Sequence, residues 1–275
     1  MRRIHIICIA ILLSSIADAQ TLGGEIKHKP GNKGTIIKQK PRTSSRQSIM
    51  PQISVIDDNL KTCELYGANN SSCIPKSTSG KYVIPEKVNG YKVVQIGSGA
   101  FYFCTQLSDI SLPKTIEVIC NSAFFRCDKL KMIEIPVGVK EIRKQAFMNC
   151  YSLTRIHIPK NVQHIGSSAF SMCGKLVFIA IPEGMKEIES FTFSDSGLKA
   201  FTIPSTIERI GMWAFGHCKK LGSVTCRAIV PPSLDKNVFT DISDTAILYV
   251  PVGTKQIYEK AGWNKYFNTI VESNE

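Results

Sequence analysis

The chain has 275 residues, of which 43% are hydrophobic, 20% charged and 8% aromatic. That balance belongs to a folded protein of one or two domains and excludes a wholly disordered, collagen-like or polytopic membrane chain. The net charge is +12, but residues 20–50 alone hold seven basic side chains against Glu25, and residues 51–275 keep only +5, so the excess does not argue for nucleic acid.

In chain order, residues 1–19 come first. Met1-Arg2-Arg3 is a short positive start, Ile4 to Ile16 is an apolar run broken only by His5, Ser14 and Ser15, and Ala17-Asp18-Ala19 is a small-x-small cleavage pattern. This is the form of a secretory signal peptide. The run is too short for a spanning helix, which needs about 20 residues. The sequence therefore predicts export, to the periplasm, the cell surface or the medium, with cleavage near Ala19 and Gln20.

Residues 20–50 scatter Lys27, Lys29, Lys33, Lys38, Lys40, Arg42 and Arg46 among Gly, Pro, Ser, Thr and Gln. Too little apolar surface is present to bury, which predicts a disordered basic linker. Its charge could hold an acidic polysaccharide or an envelope surface by screened attraction. Residues 51–80 then read as an N-terminal cap, with Ile53, Val55, Cys63 and Leu65 flanking the hairpin signal Asp57-Asp58-Asn59.

From residue 81 the chain repeats. Phenylalanine is followed three residues later by cysteine at Phe101/Cys104, Phe124/Cys127, Phe147/Cys150 and Phe170/Cys173, 23 residues apart each time, with further copies at Phe193 and Phe215/Cys218. An apolar-Pro pair recurs in step from Leu112-Pro113 to Ile203-Pro204, and Ile84-Pro85 begins the series, set off by a short insertion, Asn89-Gly90-Tyr91. Each copy places Leu, Ile and Ile where a short strand would bury them, as at Leu130, Ile133 and Ile135, and proline then ends the strand. The three-residue steps at Ala146-Phe147, Cys150 and Leu153 suit a helical or 3₁₀ turn on the opposite side. A single copy cannot bury its own apolar face, so copies must stack.

This L-x-x-I-x-I-P / I-G-x-x-A-F-x-x-C pattern resembles the BspA-like, or treponemal-type, leucine-rich repeat. Residues 81–226 give six repeats of 22–23 residues. The tail 227–275, with Pro231-Pro232, Asn237-Val238-Phe239, Leu248-Tyr249-Val250-Pro251 and Tyr258 to Trp263, resembles the closing cap of secreted Bacteroides-type members. The resemblance implies a repeat solenoid of leucine-rich-repeat type, with short parallel strands on one side, short helical or 3₁₀ turns on the other, and a cap at each end. It further implies a secreted or surface-displayed binder of host matrix proteins, receptors or other bacteria, and no enzyme. Within the tail, Val252 to Trp263 is the expected helix and Thr269-Ile270-Val271 the last strand.

The cysteines in register with Phe read as small buried apolar residues. Cys63 and Cys73 lie outside that register, at a spacing that a loop-closing disulfide would fit. His157, His164 and His217 make no metal-ligand spacing with the cysteines, and no phosphate loop, paired carboxylates or nucleophile elbow occurs, so no catalytic residue, metal or cofactor is expected. What remains is the exposed strand face. Stacking predicts one column of Asp109, Met132, Arg155, Phe178, Ala200 and Ser223, and beside it Ser111, Glu134, His157, Ala180, Thr202 and Thr225. Asp109, Met132, Glu134, Arg155, His157 and Phe178 are the candidate partner-binding face, for a protein ligand or a surface glycan.

Overall fold

A computed structural model describes residues 51–67 and 72–274, together with the backbone of 36–37. The expected signal peptide and most of the basic stretch lie outside the described residues. Residues 36–275 form one unit, a parallel solenoid of about eight turns.

Two ladders of short strands run along the stack. The front ladder contains Gly80–Val83, Leu107–Ser111, Met132–Glu134, Arg155–His157, Ala200–Ile203, Ser223–Cys226, Ile247–Pro251 and Thr269–Ser273. Proline closes most of these strands after three to five residues, as the sequence predicts. The side ladder contains Thr62–Leu65, Tyr91–Ile96, Val118–Ile119, Glu141–Ile142, His164–Ile165, Glu187–Ile188, Arg209–Ile210 and Ser233–Leu234. Pairing is parallel and in repeat register: Met132 lies against Arg155 and Glu134 against His157, Glu141 against His164, Ala200 against Ser223. The front ladder is interrupted between Leu107–Ser111 and Met132–Glu134 and again between Arg155–His157 and Ala200–Ile203, and the side ladder between His164–Ile165 and Glu187–Ile188, at the level of the second front break.

The far side differs from the expected helical turn. Within each repeat two residues flanking the core Phe adopt the left-handed conformation. One column is Ser122, Gln145, Ser168, Phe191, Trp213 and Asn237, continuing Gly99; the other is Phe103, Arg126, Asn149, Met172, Asp195, His217 and Asp241, all with φ between 49° and 65°. Backbone N–H groups consequently alternate. Those of Ala100, Tyr102 and Cys104 close tight turns onto Gly97, Gly99 and Phe101, whereas those of Gly99, Phe101 and Phe103 donate to Asn121, Ala123 and Phe125 of the next copy. A helix would direct every N–H along its own axis. Here half of them bind copy to copy, making a third ladder. The three-residue side-chain spacing fits both arrangements, so the spacing by itself does not separate them. A non-glycine residue in this conformation costs roughly 1–2 kcal/mol, and the inter-turn hydrogen bonds and ring stacking offset it.

The core is a column of rings. Phe101, Phe124, Phe147, Phe170, Phe193, Phe215 and Phe239 stack with centroids 5.1–5.8 Å apart, each fully buried. Cysteine sits beside it for a stated reason: Cys127, Cys150 and Cys173 donate Sγ–H to the carbonyls of Phe101, Phe124 and Phe147 at 3.2–3.3 Å, each reaching one copy back. Burial pushes these thiols up, Cys173 to about 12, so they stay protonated. We expect iodoacetamide at pH 8 to leave Cys127, Cys150 and Cys173 unmodified in the native protein, as read by mass spectrometry, since only the thiolate reacts. In the unfolded chain the same thiols ionise near pH 9. Folded-state stability is therefore fully present below about pH 9 and falls as pH rises above it, which denaturant midpoints at pH 8 and 10.5 would register.

Two glycines answer to contact. A Cβ on Gly166 would lie 2.6 Å from Lys144 N, because the turn below carries Arg143 and packs backbone to backbone. A Cβ on Gly197 would lie 2.3 Å from Gly174 O. Gly197 is where the fifth copy runs one residue short between Ser196 and Leu198. Ser196 replaces cysteine there and contacts Cys218 Sγ at 3.3 Å. Ser171 Oγ is buried without a hydrogen-bond partner among the described residues. An unsatisfied buried hydroxyl costs about 1–3 kcal/mol, so Ser171→Ala should raise stability by about 1 kcal/mol in urea denaturation.

Before the repeats, Ile53–Asp57 and Thr62–Leu65 form an antiparallel hairpin on the side ladder. Ile36–Ile37 pairs antiparallel with Ile53 and Ser54, which corrects the expectation of disorder at those two residues. Cys63 and Cys73 are both free, so no loop-closing disulfide is present. Cys63 Sγ is directed to Tyr91 O at 3.8 Å, while the backbone N–H of buried Cys73 donates to Ala100 O at 2.6 Å. At the other end the helix is Lys255–Lys260, shorter than expected because Gly253 and Gly262 take positive φ on either side. Its ordering is tertiary: Tyr258 Oη donates to Ala228 O at 2.6 Å and Trp263 Nε1 to Pro232 O at 3.3 Å, both buried.

Candidate interaction face

The front ladder turns the alternation of its strands into columns. Ile133, Ile156 and Ile179 point inward and are buried, while Met132, Arg155 and Phe178 are exposed, Met132 by 53% and Phe178 by 62%. Met132 pairs with Arg155 on adjacent strands. Phe178 follows Arg155 by one repeat but lies in the interruption of the front ladder, outside any strand. Glu134 and His157, paired in the neighbouring column, are also exposed. Asp109 differs from the others: it is half-buried and 3.7 Å from Lys81 Nζ.

The side ladder answers its own charges. Lys140 pairs with Glu117 of the copy before it at 3.3 Å, Arg143 with Glu141 at 2.8 Å, His164 with Glu189 at 2.6 Å, Lys186 with Glu208 at 2.5 Å, and Arg209 bridges Glu187 and Asp235. By contrast Arg155, Glu134 and His157 form no ion pair among the described residues. A side-chain guanidinium left unpaired between two large exposed apolar groups is the composition of an interaction surface rather than of a solvated strand. His157 and His164, on one repeat, lie on different ladders.

Residues 94–222 match the family model for the BspA-type leucine-rich repeat region, in six copies. The repeat region of this chain is of the BspA leucine-rich type. Among solved structures, the BspA-type chain is similar to a leucine-rich repeat protein of T. pallidum (23% identity over 80% of this chain and 96% of that one, TM-score 0.47). It is also similar to one from Bacteroides ovatus (20% identity, 84% and 77%, TM-score 0.38) and to the pneumococcal vaccine antigen PcpA (14% identity, 88% and 99%, TM-score 0.36). No curated protein matches it significantly.

A BspA-type solenoid presents long surfaces built from stacked equivalent positions, an architecture suited to protein interaction. Among the described residues no helix is long and apolar enough to cross a membrane, and no group of three or more His, Cys, Asp or Glu could hold a metal ion. One cluster escaped the sequence reading: Tyr102, Phe103, Phe125, Arg126 and Tyr151 gather on the far side. The signal was present in Phe101-Tyr102-Phe103 and Phe124-Phe125-Arg126, where aromatics exceed what the repeat requires.

Proposed function

We propose that the protein is an exported, non-catalytic recognition or adhesion protein that binds a protein partner through the front ladder, with Met132, Arg155 and Phe178 as its centre and Glu134 and His157 beside them. The observation that supports this reading is a contrast: most charges of the side ladder are paired, while Arg155, Glu134 and His157 at the centre of the front ladder form no ion pair among the described residues and stand beside exposed Met132 and Phe178. Asp109, held by Lys81, contributes at the rim.

The test is binding of the mature chain, and of the chain lacking residues 20–50, to an array of matrix proteins and glycans at 0.05 M and 0.5 M salt. Binding of one protein by both forms, persisting at 0.5 M, is the expected result. Binding confined to the longer form and abolished by salt would replace this reading with electrostatic tethering to acidic polysaccharide or envelope through the basic segment, since exchange of counterions makes such contacts strongly salt-dependent.

A further inference from the structure

A line of cations runs along the edge where the chain leaves the far side and enters the front ladder. The backbone there is stitched from turn to turn: Lys131 N–H donates to Ser108 O, Thr154 N–H to Lys131 O, Lys199 N–H to Val177 O and Gly222 N–H to Lys199 O. Repeat register therefore sets Lys131 and Lys199 in one column, and Lys129, Lys175 and Lys220 in the column two residues earlier. With Arg155 on the turn after Lys131, five successive turns each present a cation at this edge. All six side chains are exposed.

Among the described residues none of the six forms an ion pair; Lys129 Nζ has a neutral partner, Gln106 Oε1 at 2.6 Å. The acids around them are engaged or distant. Asp109, on the turn before, stands 3.7 Å from Lys81 Nζ, and Asp128 is held by Arg126 at 3.5 Å. Glu134 lies three residues along its strand from Lys131, about 10 Å away, and Asp244 on the turn after Lys220 ends the run of one sign. Like charges on neighbouring strands are destabilising, so the strip is not what holds the copies together.

Spacing narrows the occupant. Adjacent turns lie about 4.8 Å apart, so the strip offers a cation at every step over about 19 Å. An extended acidic peptide returns a side chain to one face about every 6.7 Å and is out of step by about 8 Å after four turns. Single-stranded nucleic acid is held by bases stacked on aromatic rings interleaved with the cations. Among the described residues, exposed rings stand on only two of the five turns, Tyr151 and Phe178. A polyuronate carries one carboxylate per pyranose ring, at a repeat close to the rise of one turn.

We propose that this strip is a binding track for a linear carboxylate-bearing polysaccharide, laid along the stack with a sugar carboxylate at each turn from Lys131 to Lys220. Lys175 and Lys199 take the central sugars. The track does not rest on the front-face reading above: Arg155 borders both, but Lys175, Lys199 and Lys220 lie outside the centre formed by Met132, Arg155 and Phe178.

The experiment titrates the mature full-length chain with hexagalacturonate by calorimetry across a range of NaCl concentrations. The triple variant Lys175→Gln, Lys199→Gln, Lys220→Gln should bind roughly tenfold more weakly at 0.15 M NaCl, the loss of three exposed charge contacts. Its plot of log Kd against log salt should flatten by about two, roughly 0.7 per cation lost as for a single-stranded polyanion. A second triple variant, Lys114→Gln, Lys140→Gln, Lys186→Gln, removes the same charge beyond the proline end of the front strands and should change affinity less than about twofold. Both variants keep the basic N-terminal segment, so its contribution cancels between them. Hexaglutamate and hexathymidylate should bind more weakly than hexagalacturonate. No binding by the parent, full affinity in the first variant, equal losses in the two variants, or an equally tight peptide or oligonucleotide would overturn the proposal.

Discussion

Arg155→Ala combined with Phe178→Ala should reduce partner affinity by about a hundredfold or more while leaving the melting temperature within about 2 °C of the parent. Arg and aromatic anchors at the centre of an interface each cost about 2 kcal/mol or more on truncation, and every 1.4 kcal/mol is a factor of ten. The two residues sit one repeat apart on one face, so their effects couple and the sum is an upper limit. Both side chains are exposed, which confines the stability change to about 0.5 kcal/mol. Surface plasmon resonance against the array-identified ligand, with calorimetric melting of the same variant, measures both quantities. Undiminished affinity would remove the front ladder as the binding face, and a large fall in melting temperature would mean that the loss is one of folding.

Phe147→Ala should produce the largest loss of stability, about 3–5 kcal/mol. Its ring lies between those of Phe124 at 5.1 Å and Phe170 at 5.5 Å and is wholly removed from solvent. Its backbone also donates to Ala169 of the next copy, so relaxation of the cavity is opposed by the ladder on both sides. At roughly 2–4 °C per kcal/mol for a domain of this size, the melting temperature should fall by about 10 °C. Phe147→Leu should recover a substantial part of it. A change in Phe147→Ala below about 1 kcal/mol would mean that the ring column is not what holds successive copies together.

The repeat was legible because the side chains that stack must recur at one interval: Phe101 to Phe170, their cysteines and the apolar-Pro pairs mark the core with no need of coordinates. The front columns followed from strand alternation, and Met132 against Arg155 and Glu134 against His157 are paired as that alternation requires. Three features were hidden, each for a physical reason. The left-handed residues on the far side are Ser, Gln, Phe, Trp, Arg and Met as well as Asn and Asp, so glycine did not announce them. Apart from Arg143 with Glu141, the charge pairs of the side ladder join residues 22 to 26 apart, visible only once the stacking register is fixed. The cation held between Phe103 and Tyr151 draws on three copies, where no local motif could reveal it.

The one-residue shortening at Gly197 has a mechanical side. In a stacked array each copy is held only by its neighbours, and stability is a sum of intrinsic and nearest-neighbour terms. Between the fourth and fifth copies the front and side strands lose their pairing, the far-side hydrogen bonds of Ser168, Phe170 and Met172 persist, and the Phe170–Phe193 spacing of 5.8 Å is the widest in the ring column. Among the described residues this is the one junction at which both ladders lose their pairing, and His164 with Glu189 at 2.6 Å is the ion pair that still spans it. Amide exchange should therefore divide the molecule into two cooperative blocks that meet there, and a pulling force applied along the stack should part it first at that seam, with each half still wound.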